Sequence, residues 1–168
     1  MIVVFLAILG LNSCAAPEME EANIHEMLFN QKRGLISGVE PGDSWEDMKK
    51  NHHPDWVIRE DHSDGMNIYQ YRKDWDEGYN YMYLSVSLDE NDKINQMNFS
   101  MSATTGNLLQ LKKLEMKFIS DFSLISLTEK TNDWTYFAEN GDEYNVSLTT
   151  INIEEDHKIL TVNVLKSN

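Results

Sequence analysis

A strand–turn–strand pattern in residues 79–102 returns in residues 144–167. Laid over each other without a gap, the two stretches match Tyr79-Asn80 with Tyr144-Asn145, Glu90 with Glu155, Lys93-Ile94 with Lys158-Ile159, Asn98 with Asn163, and Ser102 with Ser167. Between the identities the character is kept: Val86 falls on Ile151, Leu88 on Ile153, Met97 on Val162 and Phe99 on Val164. Each copy has two runs about an acidic turn, Asp89-Glu90-Asn91-Asp92 or Glu154-Glu155-Asp156-His157. The match reads as a duplication of one strand–turn–strand unit.

Alternation along a strand sorts side chains between two faces. In residues 79–88 the even positions Met82, Leu84, Val86 and Leu88 are apolar, and they predict the buried face. The odd positions place Tyr79, Tyr81 and Tyr83 on the other side, with Tyr69 and Tyr71 of the preceding run expected beside them. In the second copy the ungapped match keeps Ile151 and Ile153 on the core side. It sets Val146 and Leu148 opposite Tyr81 and Tyr83, unless a bulge at Thr149-Thr150 turns them inward. On the returning strands Met97, Phe99, Val162 and Val164 point in, and Asn98 and Asn163 out.

Around the hairpins the punctuation is that of helices and short strands. Pro41-Gly42 marks a turn, and Asp43-x-x-Glu46 or Ser44-x-x-Asp47 caps a helix that Pro54 ends. Strands follow at 56–59 and 66–72, divided by the turn dipeptide Asp64-Gly65. Leu108, Leu111, Leu114, Phe118 and Phe122 recur every three or four residues, a helical stripe with Lys112, Lys113 and Lys117 outside it. Further strands are expected at 123–127 and 134–138. This order predicts an α+β fold: two helix-plus-antiparallel-strand repeats, about 35–105 and 106–168, forming one sheet with helices packed on one face.

Charge narrows the function. The chain has 28 acidic against 14 basic residues, a net −14, which argues against nucleic acid, whose phosphates require clustered cations, and equally disfavours electrostatic adsorption on anionic lipid. Its single cysteine, Cys14, leaves the body without material for a disulfide, a catalytic thiol or a thiolate metal site. Residues 2–11 form an apolar run too short to span a bilayer but long enough for the core of a signal peptide. Behind it stands Leu11-Asn12-Ser13-Cys14-Ala15-Ala16, which resembles the lipobox of bacterial lipoproteins. That resemblance implies cleavage of residues 1–13 and acyl chains on Cys14, and Ala15 after the cysteine implies the outer membrane. Residues 14–34 then read as the lipid anchor with an acidic tether, including a short helix around Ile24 to Lys32.

A second resemblance covers Gly38-Val39-Glu40-Pro41-Gly42-Asp43-Ser44-Trp45-Glu46-Asp47-Met48, which is similar to the glycine-then-capped-helix opening of BamE-type lipoproteins. Duplicated helix-plus-sheet units also resemble the plan of the beta-lactamase inhibitory protein family. Both imply binding to another protein and no catalysis. Asn51-His52-His53-Pro54 stands where the first family has Leu-Gly-x-Pro, so no binding residue is carried over.

The open tyrosine face, Tyr69, Tyr71, Tyr79, Tyr81 and Tyr83, is accordingly the candidate protein-binding surface. Ordinary cross-strand aromatic pairs, or cover by the segment 24–32, would account for the same residues. The alternative function is a small-ligand or metal-binding envelope module, resting on His52, His53 and His62, since imidazole with nearby carboxylate suits zinc. No cofactor is implied, and no phosphate loop or nucleophile elbow is present in the sequence. The expected protein is a non-catalytic, lipid-anchored envelope component that binds an envelope or secreted protein.

Overall fold

Alternating strands dominate the described residues. A computed structural model describes residues 19, 24, 26–28, 35–51, 54–62, 67–76, 79–125, 133–138 and 141–167. Seven strands, β1 (Val57–Asp61), β2 (Ile68–Asp74), β3 (Tyr81–Leu88), β4 (Ile94–Thr104), β5 (Asp133–Phe137), β6 (Glu143–Glu154) and β7 (His157–Lys166), form one sheet in the order β1-β2-β3-β4-β7-β6-β5. Every pairing is antiparallel. Helix α1 (Trp45–Asn51) precedes the first four strands, and α2 (Leu108–Ile125) separates them from the last three.

The expectation of an α+β chain made of two helix-plus-strand repeats is therefore corrected. The protein is largely β, with α2 the one long helix among the described residues. The reason is length: the residues of α1 make only about two turns, while β4, β6 and β7 run to 10 residues or more. What repeats is the hairpin. The strand expected at 123–127 is also corrected as far as Ile125, because α2 continues to that residue. No helix among the described residues is long and apolar enough to cross a membrane.

The two hairpins meet at β4 and β7, where Asn98 faces Asn163 directly and Asn98 Nδ2 donates to Asn163 Oδ1 at 2.6 Å. The ungapped match holds along these strands and fails along β6. Val86 pairs with Met97, whereas Val162, the counterpart of Met97, pairs with Leu148 and not with Ile151. The equivalence along β6 is shifted by three residues, so Tyr144, Val146 and Leu148 take the buried positions of Met82, Leu84 and Val86. Alternation then carries Ile151 and Ile153 outward, where they are 49% and 51% exposed. No bulge at Thr149-Thr150 is involved: pairing is regular from Tyr144 to Asn152. The second turn is tighter, since Glu154 already pairs with His157, and the strands lengthen to compensate.

One face of the sheet holds the core. Leu111, Leu114 and Phe118 of α2 are buried there, and Phe118 meets Phe99 of β4 with ring centroids 5.5 Å apart. Over β2, Trp45 lies 5.2 Å from Tyr69 and 5.9 Å from Tyr71, and Trp56 also reaches Tyr71 at 5.9 Å. Ser44 caps α1: its Oγ accepts from Asp47 N and donates to Asp47 Oδ2. Ahead of that cap, Gly42 N donates to Ile94 O and Ile94 N to Asp43 O, which fastens the segment to the start of β4.

Met19, Ile24, Met27 and Leu28 belong to this core as well. Ile24 and residues 26–28 are helical, where a short helix around Ile24 to Lys32 is expected.

The buried Tyr71 hydroxyl donates to the carbonyl of Met48 in the middle of α1, and burial pushes its pKa above the usual tyrosine range. Tyr71→Phe removes that donor and leaves the carbonyl facing an apolar ring. The expected loss is about 1–3 kcal/mol, read as a lower urea midpoint at unchanged slope.

Candidate functional site

Pairing aligns the side chains of the opposite face into rows across the sheet. One row runs Val57, Arg72, Tyr83, Ser100, Thr161, Thr149; the next runs Asp74, Tyr81, Ser102, Ile159, Ile151. A third is polar throughout, with Arg59, Gln70, Ser85, Asn98, Asn163 and Ser147. Val57, Ile151, Ile153, Leu165 and Phe137, all on this face, are exposed. We call it the open face.

Tyr81 and Tyr83 stand two apart on β3, on the same side, and their rings stack with centroids 6.0 Å apart and planes within 16°. Arg72 of the neighbouring strand lays its guanidinium 4.8 Å from the centre of Tyr81. Asp74 holds that guanidinium as a fork, from Nη2 to Oδ1 at 2.7 Å and from Nε to Oδ2 at 2.9 Å. The result is a pre-ordered cluster of two tyrosines and an arginine. Ser85, Ser100 and Ser102 beside it are small, so the rings are the tallest groups in their part of the sheet. Tyrosine and arginine among serine and asparagine is the composition of binding surfaces that gain contact area at low entropy cost.

Tyr79 lies just before β3 on the same side, exposed, with its ring edge-on to His157 at 6.1 Å. Ser102 Oγ sits 2.8 Å from His157 Nε2, a contact that the sequence did not suggest because its partners are 55 residues apart. Ser102 is buried, and its hydroxyl donates to Tyr79 O at 2.7 Å, so His157 supplies the other hydrogen.

Tyr69 and Tyr71 do not join this face. Tyr69 pairs with Val86 and Tyr71 with Leu84, which puts both on the covered side. Their placement on the open face is corrected by that register, and Tyr71 is fully buried. Of the suggested metal ligands, His52 and His53 lie outside the described residues. His62 is exposed at the end of β1, with Nδ1 2.8 Å from Asn67 Oδ1 and its ring against Tyr69. Among the described residues no three His, Cys, Asp or Glu side chains converge on a point a metal could occupy. Nearby Glu60 is held below the usual carboxylate range by the Trp45 indole N–H and then by Lys49. That arrangement pins α1 to β1.

Cys14 also lies outside the described residues. Comparison of the chain with protein-family models, curated proteins and solved structures gives no match.

Proposed function

We propose that this chain is a non-catalytic, lipid-anchored protein of the bacterial cell envelope that binds another protein through the open face of its sheet. The Arg72–Tyr81–Tyr83 cluster carries the reading. Its rings and guanidinium are already ordered, so a partner that covers them gains area without freezing loose side chains. The lipid anchor rests on the leader and the lipobox-like Leu11-Asn12-Ser13-Cys14, and Ala15 favours the outer membrane. An inhibitor, an immunity factor and an assembly subunit are each consistent with such a face.

The test is a photo-crosslinking residue at Ser85, beside the cluster, in native envelopes. One discrete crosslinked protein is expected. Tyr81→Ser with Tyr83→Ser is expected to abolish it while the thermal unfolding midpoint stays within a few degrees, because both rings are partly exposed. A crosslink of equal yield in the double variant counts against the face. For the anchor, mass spectrometry of the mature protein is expected to find acyl chains on Cys14, and an unmodified cysteine overturns that part.

A further inference from the structure

The acidic balance of the chain is not uniform. Helix α2 turns Leu111, Leu114 and Phe118 to the sheet, and its far side carries Leu109, Lys112, Lys113 and Met116. Leu109 is 61% and Met116 62% exposed, and both lysines are exposed too. Spacings of three and four place these residues along one stripe. The acids of α2 lie off it and are engaged, Glu115 by the Thr150 hydroxyl and Asp121 by Lys117. Two exposed apolar groups separated by two cations suit a surface that is apolar within and anionic at its rim. A second copy would bring another net −14 against the first, which disfavours self-association over the molecule as a whole. The same net charge opposes free adsorption on anionic lipid, so the contact depends on the acyl tether holding this stripe close.

A second observation says where that surface would be. Met19 is buried, and its backbone N–H donates to Asn107 Oδ1 at 2.9 Å. Asn107 is the residue before Leu108, where α2 begins. From Cys14 to Met19 is five residues (19 − 14), a reach of at most about 17 Å when fully extended. An acyl chain on Cys14 therefore holds the start of α2 within that distance of the headgroups. Met116 lies eight residues further along the helix (116 − 108), only about 12 Å on.

From these two observations we infer that the Leu109–Lys112–Lys113–Met116 side of α2 is the surface laid on the membrane, against anionic phospholipid headgroups. The inference rests on the proposed acylation of Cys14. It deepens that reading by giving the body an orientation: α2 faces the bilayer, and the sheet, packed on the helix's other side, turns its open face away from the lipid. The binding cluster is thus left clear.

The acylated full-length mature protein, reconstituted in vesicles of phosphatidylethanolamine and phosphatidylglycerol, tests this. Cys14 is consumed by its thioether and is the one native cysteine, so Met116→Cys or Ser87→Cys, made separately, takes a single fluorescent label. With a quencher on the lipid headgroups, strong quenching is expected at position 116 and little at 87, on the open face. Adding Lys112→Glu and Lys113→Glu is expected to remove the quenching at 116, with the unfolding midpoint followed in parallel so that lost contact is told apart from lost stability. Equal quenching at both positions, or more at 87, overturns the orientation. So does shielding of the label at 116 in detergent micelles that grows with protein concentration, which signals a second copy on that stripe. Mass spectrometry of the Cys14 peptide separates the two failures: an unmodified cysteine removes the anchor and the inference with it, whereas acylated protein with unequal quenching of the wrong sign removes the orientation alone.

Discussion

Phe118→Ala is expected to lower the unfolding free energy by about 3–5 kcal/mol, a large share of the roughly 5–15 kcal/mol that a domain of ordinary size has. Phe118 is fully buried and sits midway along α2, where its ring tilts onto Phe99 of the central strand β4. Removing the ring takes away its transfer free energy and leaves a void that neither a rigid sheet nor a packed helix can close. Leu109→Ala, on the outward side of the same helix, is expected to stay within about 0.5 kcal/mol. Urea unfolding of the two variants in parallel is the measurement. Similar midpoints for both would mean that α2 is not docked through Phe118, and the assignment of its two sides would fail.

How much of this was legible before the structure depends on which signal each element carried. In β3, Met82, Leu84 and Val86 alternate with Tyr81, Tyr83 and Ser85, and the two faces follow from that pattern alone. The stripe of α2 was equally plain. Tyr69 and Tyr71 were not, because β2 reads Ile-Tyr-Gln-Tyr-Arg and tyrosine serves on either face. Only the register against Val86 and Leu84 decides it, and a long-range pairing is invisible in a local run. Ile151 and Ile153 were misplaced for a related reason. The ungapped match between hairpins hid a difference in turn length, and a three-residue shift, being odd, exchanges the two faces. The site divides the same way. Tyr81 and Tyr83 were found from alternation, but Arg72 and its Asp74 fork come from the next strand. The docking of Met19 on Asn107, across 88 residues, left no sequence signal at all.

The face and the helix also bear on each other. Were the net −14 spread evenly, neither an apolar–cationic stripe nor a nearly neutral aromatic cluster would survive on the surface. Part of that charge lies in the turns at Asp89–Asp92 and Glu154–Asp156 and at the start of α1, where Asp89 accepts backbone N–H groups and Lys49 meets Glu46. Asp89 illustrates this: N–H donors from Lys93 and Asn91 hold its pKa below the usual range. An acidic composition thus coexists with two faces suited to other partners.

Asn80→Asp is expected to cost about 2–4 kcal/mol at neutral pH, with a pH dependence opposite to that of the native site. Asn80 is fully buried and ties three segments together. Its Nδ2 donates to Asp76 Oδ2 and to Thr104 Oγ1, and its Oδ1 accepts from Thr104 N at 2.9 Å. Asp76 also receives the backbone N–H of Asn80 at 2.7 Å and of Tyr79 at 3.0 Å. Burial would raise the Asp76 pKa, but these hydrogen bonds outweigh it and hold the group low. A depressed carboxylate contributes stability above its unfolded pKa and loses it as pH falls through the folded value. The variant replaces the amide donor by a second carboxylate against the first, and solvent at the half-buried Asp76 screens only part of the repulsion. One proton is then shared at a pKa raised above the unfolded value. A raised group contributes stability below the unfolded pKa and loses it as pH rises through the folded one, so the gap between variant and native protein is expected to narrow on acidification. Urea midpoints for both proteins at neutral and mildly acidic pH measure it. A gap that stays constant would mean that Asp76 does not meet residue 80, and that the entry to β3 is held closed by the sheet pairing alone.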